Sequence, residues 1–408
     1  MVCLDMATII NPEVSSRSVG GNSASHVGRL PELDGLRGIA ILMVVSLHYI
    51  PNARTTDNGF GLLYHFAQVF RLGWSGVDLF LVLSGFLIGG ILLDARHASN
   101  YFSTFYLRRV HRILPVYFAW LALFPAWALF LSWKLNYHVP SSAVASMLLV
   151  HVLFLQNFIS TLTTYPALLW IAATWSLAVE EQFYLVAPLM VRYLSPKRLT
   201  YMLIGCIVAA PILRAILYNF SPAGKELYYV MMPCRADALA AGMFAALAWR
   251  SDTKFWLERH TVLLRQTLGV LVLGAVVMLK WLPGHIAHST WQAAFQYSWM
   301  AALYVCLIML ALLEQNGVIA RVARWKFLRE WGRVSYCVYL VHLGVLGLCH
   351  LALRGGEPSL TSWSGFFTTL LALALTWGLA QSSWKFFEKP LLNRGHHYQY
   401  LRADPSIA

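Results

Sequence analysis

The sequence predicts an all-α protein, a polytopic transmembrane helical bundle of about ten spanning helices, and three observations lead there. The 408 residues are 58% hydrophobic and only 12% charged, with a mean hydropathy of +0.58, too apolar for a soluble chain of this length. The apolar residues fall in stretches long enough to span a bilayer, which needs roughly 20 residues. The net charge of +13 comes from Lys and Arg placed between those stretches and not along one basic face, which argues against nucleic acid as a partner.

Spans are expected near 33–51, 73–94, 113–133, 173–194, 199–218, 233–250, 266–282, 291–313, 334–353 and 363–385. With the N-terminus inside, the inner segments carry 23 of the 31 Lys and Arg and the outer ones seven, Arg214 falling within a span. That is the asymmetry of the positive-inside rule. Counting the apolar segment 141–159 as a further span would scatter the basic clusters over both sides. Both termini are therefore expected to be cytoplasmic, and 134–172 to be an outer excursion packed against protein. Residues 1–30, polar and lacking the apolar core of a secretory signal, read as a flexible cytoplasmic tail. Residues 31–394 then form the membrane domain and 395–408 a second cytoplasmic tail. The six Cys residues form no C-x-x-C pair and imply neither a disulfide framework nor a zinc site.

Ionisable groups inside spans cost roughly 2.5–3.5 kcal/mol each at a helix centre unless they face a polar interior, so each one needs a reason. In the first span Arg37 and His48 are eleven residues apart, about three turns and roughly 16 Å, hence on one face at opposite depths. They mark the two boundaries or line one cavity. In the second span Asp78 lies near the outer end, within expected reach of His48, whose imidazole a carboxylate could orient. Gly76, Gly85, Gly89 and Gly90 suit close helix packing. Arg108, Arg109 and Arg112 form either a cytoplasmic anchor or, as guanidinium forks at i, i+3, a phosphate clamp.

In the fourth span Ser176, Glu180 and Tyr184 share a face while Glu181 points about 100° away; an ion pair with Arg235 is the plain alternative for these acids. Arg235 and Asp237 open the sixth span. Ser335, Tyr339 and His342 form an inward stripe on the ninth, where His342 also reads as a packing residue. Glu388 and Lys389 are expected to anchor the inner end of the tenth.

Taken together, LDGLRG with Arg37 and His48, GVDLFLVLSGFLI, the R-x-x-R of Arg109 and Arg112, WSLAVEEQFY, the R-x-D of Arg235 and Asp237, SYCVYLVH and FEKP resemble acyltransferase family 3 of bacterial membrane acyltransferases over about residues 31–394. The order and number of the motifs make the match specific. The resemblance implies ten spans, acetyl-coenzyme A or another acyl-coenzyme A as donor, no metal, and O-acylation of surface carbohydrate, lipid-linked glycan, peptidoglycan or small acceptors. It also implies a bacterial inner-membrane location and a requirement for Arg37, His48, Arg109 and Arg112. Some members carry a fused extracytoplasmic hydrolase-like domain; with the chain stopping soon after FEKP, a further transfer step would be expected to need a separate partner.

On this reading Arg109, Arg112 and Arg37 bind the donor phosphates, and His48 is the general base, oriented by Asp78 or Glu180. An acyl-imidazole is also compatible with the sequence. Ser176, Tyr339 and Trp175 are the candidate oxyanion donors, and Arg108, Glu181, Arg235, Asp237 and His342 are further site candidates. Tyr64, Tyr137, Asn157, Tyr165, Tyr228 and Tyr229 are expected either to meet the acceptor or to belong to an interfacial aromatic belt. A homo-oligomer is compatible with the sequence. The rival readings are a proton-coupled exporter of glycans or small molecules and a structural subunit of a glycan-assembly complex.

Overall fold

The computed structural model describes residues 30–50, 70–135, 140–159, 170–220, 224–281, 287–360 and 362–401. The expected N-terminal tail up to residue 29, Tyr64, Tyr137, Tyr165 and residues 402–408 lie outside the described residues. The rest is helical, in chain order α1 (Pro31–Tyr49), α2 (Gly76–Asp94), α3 (Tyr101–Ala122), α4 (Phe124–Leu135), α5 (Ser141–Val152) and α6 (Gln156–Ile159). Then follow α7 (Trp175–Tyr193), α8 (Pro196–Phe220), α9 (Gly224–Val230), α10 (Met232–Trp249), α11 (Thr253–Arg259) and α12 (Thr261–Trp281). The last are α13 (Thr290–Leu313), α14 (Val318–Ala323), α15 (Lys326–Arg354), α16 (Trp363–Ser383) and, after a π-helical turn over Trp384–Glu388, α17 (Lys389–His396).

Local chemistry sets several boundaries. Pro31 stands in the first turn of α1 with Glu32 and Asp34, where a missing N–H costs nothing and negative charge meets the helix dipole. Ser289 and Ser362 cap α13 and α16 by accepting from Gln292 N and Gly365 N, each at 3.2 Å. Gly355, with φ +68°, ends α15 in the left-handed conformation that glycine adopts without strain.

Eight helices among the described residues are long and apolar enough to cross a membrane. The bundle is a multi-pass membrane protein: its outer surface is a band of exposed side chains such as Ile204, Val208, Ile212 and Ile216 at i, i+4 spacing on α8, and Val270, Leu273 and Val277 on α12. Two of the ten expected spans fall outside that eight. They are α1 and α7, each 19 residues long and so about 28 Å, and they carry Arg37, His48, Glu180 and Glu181. Their lower hydropathy comes from these polar groups, which face the interior, whereas the apolar α2, α8 and α10 carry their charges as buried pairs. Helix α5, at 12 residues, is about 18 Å long and too short for a hydrocarbon core of about 30 Å. It and the turn that follows are tied to the bundle by Tyr117 Oη donating to His151 O at 2.9 Å and Gln182 Nε2 donating to Phe154 O at 2.9 Å.

Two close helix pairs position the interior. On α1 and α15, a methyl group at Gly38 would strike the carbonyl oxygen of Leu328, and one at Gly332 that of Asp34. On α2 and α10, Gly85 faces Leu239 O and Gly242 faces Val82 O in the same way. Small residues let these backbones touch, the usual basis of helix association in lipid. The expected C-terminal tail is held against α3 as far as Leu401: Leu401 N donates to Asn100 Oδ1 at 2.9 Å, and Arg108 Nε donates to Tyr398 O at 2.7 Å.

Candidate active site

Helices α1, α2, α3, α7 and α15 enclose a cavity of about 810 Å³, its open mouth included. Arg37, Arg109 and Arg112 line it from α1 and α3, Ser176, Glu180 and Tyr184 from α7, and Ser335, Tyr336 and Tyr339 from α15. The sequence had grouped these residues by face on separate helices; the fold brings them to one space. Glu180 is held by Ser84 Oγ, which donates to Oε1 at 2.9 Å, and by Tyr184 Oη, which donates to Oε2 at 3.0 Å. Its negative charge acts on Arg37 and Arg112. Three guanidinium groups against one carboxylate leave the cavity with an excess of positive charge, suited to an anionic ligand.

One turn further along α15, the ring of Tyr339 stands between this cavity and a pair of histidines. Tyr339 Oη is hydrogen-bonded to Ser176 Oγ at 2.6 Å, and its ring centroid is 5.8 Å from that of His342. His342 is fully buried, and its Nε2 lies 3.1 Å from His48 Nδ1. The tautomers follow from the acceptors. His342 Nδ1 is 2.8 Å from Tyr339 O and 3.2 Å from Val338 O; a carbonyl only accepts, so Nδ1 carries the proton and Nε2 is the acceptor. His48 must then donate from Nδ1, which makes Nε2 its basic nitrogen. Tyr49 Oη donates to His342 O at 2.9 Å and is hydrogen-bonded to Thr376 Oγ1 at 2.9 Å, so the residue after His48 also grips the turn that carries His342.

Several expectations are corrected by this geometry. Asp78 is not the partner of His48: its Oδ1 accepts from Arg235 at 2.6 Å, with both residues fully buried and the guanidinium 4.4 Å from the centre of the Tyr297 ring. A cation on the closely packed α10 compensates a buried carboxylate, which a neutral imidazole cannot. Glu180 likewise bonds Ser84 and Tyr184 rather than His48, and neither it nor Glu181 pairs with Arg235. Glu181 lies outside the cavity lining, with a buried Oε1 that has no hydrogen-bond partner.

Asp237 belongs to a second ion pair, accepting from Arg214 at 2.9 Å and from Ser298 Oγ at 2.6 Å. Arg214 also donates to the carbonyls of Ala293, Ala294 and Cys234. An Arg alone in mid-span demands such a counter-charge, so its sequence position was already the signal. Arg108 faces away from the cavity toward the C-terminal segment, over the ring of Tyr400 at 5.1 Å. Asn157 and Tyr228 are fully buried and serve as internal hydrogen-bonding groups rather than surface contacts. Tyr229 packs between Trp175 and the Arg235 guanidinium.

A family model described as an acyltransferase domain matches residues 30–381. The chain is 26% identical over 378 residues to the peptidoglycan O-acetyltransferase OatA of Listeria monocytogenes, covering 90% of this chain and 56% of that protein. To the O-acetyltransferase OatA of Staphylococcus aureus it is 23% identical over 379 residues, covering 90% of this chain and 58% of the relative. It thus spans little more than half the length of these relatives. No solved structure matches it. A match of that model over most of the chain places this chain in acyltransferase family 3.

Proposed function

We propose that the protein is a membrane O-acyltransferase that moves an acyl group, most simply acetyl, from cytoplasmic acyl-coenzyme A to a hydroxyl of an extracytoplasmic glycan, working in the bacterial cytoplasmic membrane. The observation that carries this reading is the continuous line of groups from the Arg37, Arg109 and Arg112 cavity through Tyr339 to the His342 and His48 pair. One end suits phosphates, the other holds a base, and a tyrosine and a serine stand between them. The name of the Listeria relative points to a cell-wall glycan as acceptor.

In the proposed reaction the arginines hold the donor phosphates and the thioester lies near Tyr339. His48 Nε2 takes the proton of the acceptor hydroxyl as its oxygen attacks the thioester carbonyl. His342, anchored by the Tyr339 carbonyl, accepts the Nδ1 proton of His48 in a hydrogen bond that strengthens as the imidazolium forms. In the hydrogen-bonded pair of Ser176 and Tyr339 one hydroxyl donates to the other, and the accepting hydroxyl keeps its own proton to donate to the oxyanion. Collapse breaks the C–S bond, and the proton on His48 passes to the leaving thiolate, giving an ester and free coenzyme A. Membranes with matched insertion levels, given radiolabelled acetyl-coenzyme A, should label an envelope glycan with wild type and not with His48→Ala. Equal labelling by both would remove His48 from the mechanism, and transport of a glycan without any acyl donor would favour an exporter.

A further inference from the structure

A second cavity, of about 440 Å³, adjoins the first at Arg37, Arg112, Ser335 and Tyr336. It lies on the side of the α1 N-terminus, and Asp34, Arg333, Trp384 and Glu388 complete its wall. Nothing in the reaction above uses Glu388. The sequence W-K-F-F-E-K-P explains how it gets there. Pro390 has no N–H to give the carbonyl of Phe386 and crowds it, so an α-helical turn cannot continue through this point. The chain opens instead into the π turn Trp384–Glu388, closed by Lys389 N donating to Trp384 O. Such turns recur at functional sites. The wider turn places Glu388 in the interior: it is 5% exposed, and Ser383 Oγ donates to its Oε1 at 2.9 Å. It lines the same wall as Arg112, one of the residues that both cavities share. Glu388, expected at the inner end of its helix, is thus turned into the bundle.

Arg333 is already paired with Glu330, and Asp34 sits in the first turn of α1 on the same wall; Glu388, sharing that wall with Arg37 and Arg112, opposes the anion binding for which those two cations are suited. Energy is conceded there, and structure alone does not require it, because a glutamine would satisfy Ser383 equally well. We propose that Glu388 is a built-in counter-ion: it balances Arg112 when no donor is bound, gives way when the donor's phosphates arrive, and returns to hasten departure of the spent thiol. This rests on the donor reading of the arginine cavity. Tight phosphate binding would otherwise hold the product as firmly as the substrate, and a resident competitor weakens both.

The test is coenzyme A binding by calorimetry to purified protein in lipid nanodiscs, comparing wild type, Glu388→Gln, Arg112→Ala and the double variant, with inorganic pyrophosphate as a second probe. Glu388→Gln keeps the hydrogen bond from Ser383 and should bind both probes about tenfold tighter, a change of about 1.4 kcal/mol, while its steady-state turnover falls. In the Arg112→Ala background the same substitution should have little effect. Unchanged or weaker binding by Glu388→Gln overturns the proposal, as does an undiminished effect without Arg112. Equal binding by wild type and Arg112→Ala would instead overturn the donor reading, and the proposal with it.

Discussion

His342 Nε2 stands 3.1 Å from His48 Nδ1 across the interface of α1 and α15. The two residues are 294 positions apart in the chain, yet the proton positions of both follow from the backbone carbonyls of Tyr339 and Val338, which can only accept. His342 is thus a positioning residue for His48. Replacing it by alanine should lower turnover by about 10²-fold or more, within the range for losing a well-placed general base, with the KM for the donor unchanged. The double variant with His48→Ala should be no worse than His48→Ala alone, since groups acting as a unit are not additive. Label transfer at varied donor concentration checks both statements, and full additivity would separate the two histidines.

Arg109 and Arg112 face the cavity from successive turns of α3. A charge-assisted hydrogen bond contributes about 1.5–3 kcal/mol, so Arg112→Ala should raise the KM for the donor by about 10- to 100-fold and leave the saturated rate within a few fold. Arg108→Ala, on a residue that bonds the C-terminal segment instead, should leave that KM near the wild-type value. Kinetics of the two variants in matched membranes test the contrast.

Asp78 and Arg235 form a buried pair at 2.6 Å. Removing one partner leaves an uncompensated charge and costs about 3–5 kcal/mol. Asp78→Ala and Arg235→Ala should each lose yield and thermal stability, and the double change to apolar residues should recover much of both. If Asp78→Ala keeps wild-type stability and loses only turnover, the pair is chemical and not structural.

Gly242 on α10 meets Val82 O and lies with Phe86 N 2.8 Å from where its Cβ would stand, whereas Gly205 on α8 has nothing within 4 Å. Gly242→Ala should therefore destabilise the bundle by about 1–3 kcal/mol through overpacking. Gly205→Ala should be neutral or slightly stabilising because alanine is the better helix former, by up to about 1 kcal/mol. Thermal unfolding of both variants in the same detergent decides it.

The helices themselves were legible in the sequence because hydrophobic length is a local property. The stretches over Gly76–Asp94, Pro196–Phe220 and Thr290–Leu313 declare themselves by composition, while the apolar segment 141–159 is set aside by the distribution of Lys and Arg, and the 12-residue length of α5 bears that out. The stripe of Ser335, Tyr339 and His342 was also readable, since 3.6 residues per turn sets which side chains share a face. Periodicity does not say which helix stands opposite. Asp78 and His48 both lie toward the expected outer end of their helices, and depth alone made them look like partners. The contact of Gly85 and Gly242 turned Asp78 toward Arg235 on α10, and the contact of Gly38 and Gly332 brought α1 against α15.

By itself, then, the sequence determined the class of the protein, the helices that carry its intramembrane charges, and the family motifs of Arg37, His48, Arg109 and Arg112, because burial cost and helical period act along the chain. Only the tertiary structure decided the pairing of those charges, the partnership of His48 with His342, and the turn that puts Glu388 in the cavity wall that Arg112 also lines. Those depend on how close two backbones come and how each helix is rotated about its axis, quantities that arise only between helices.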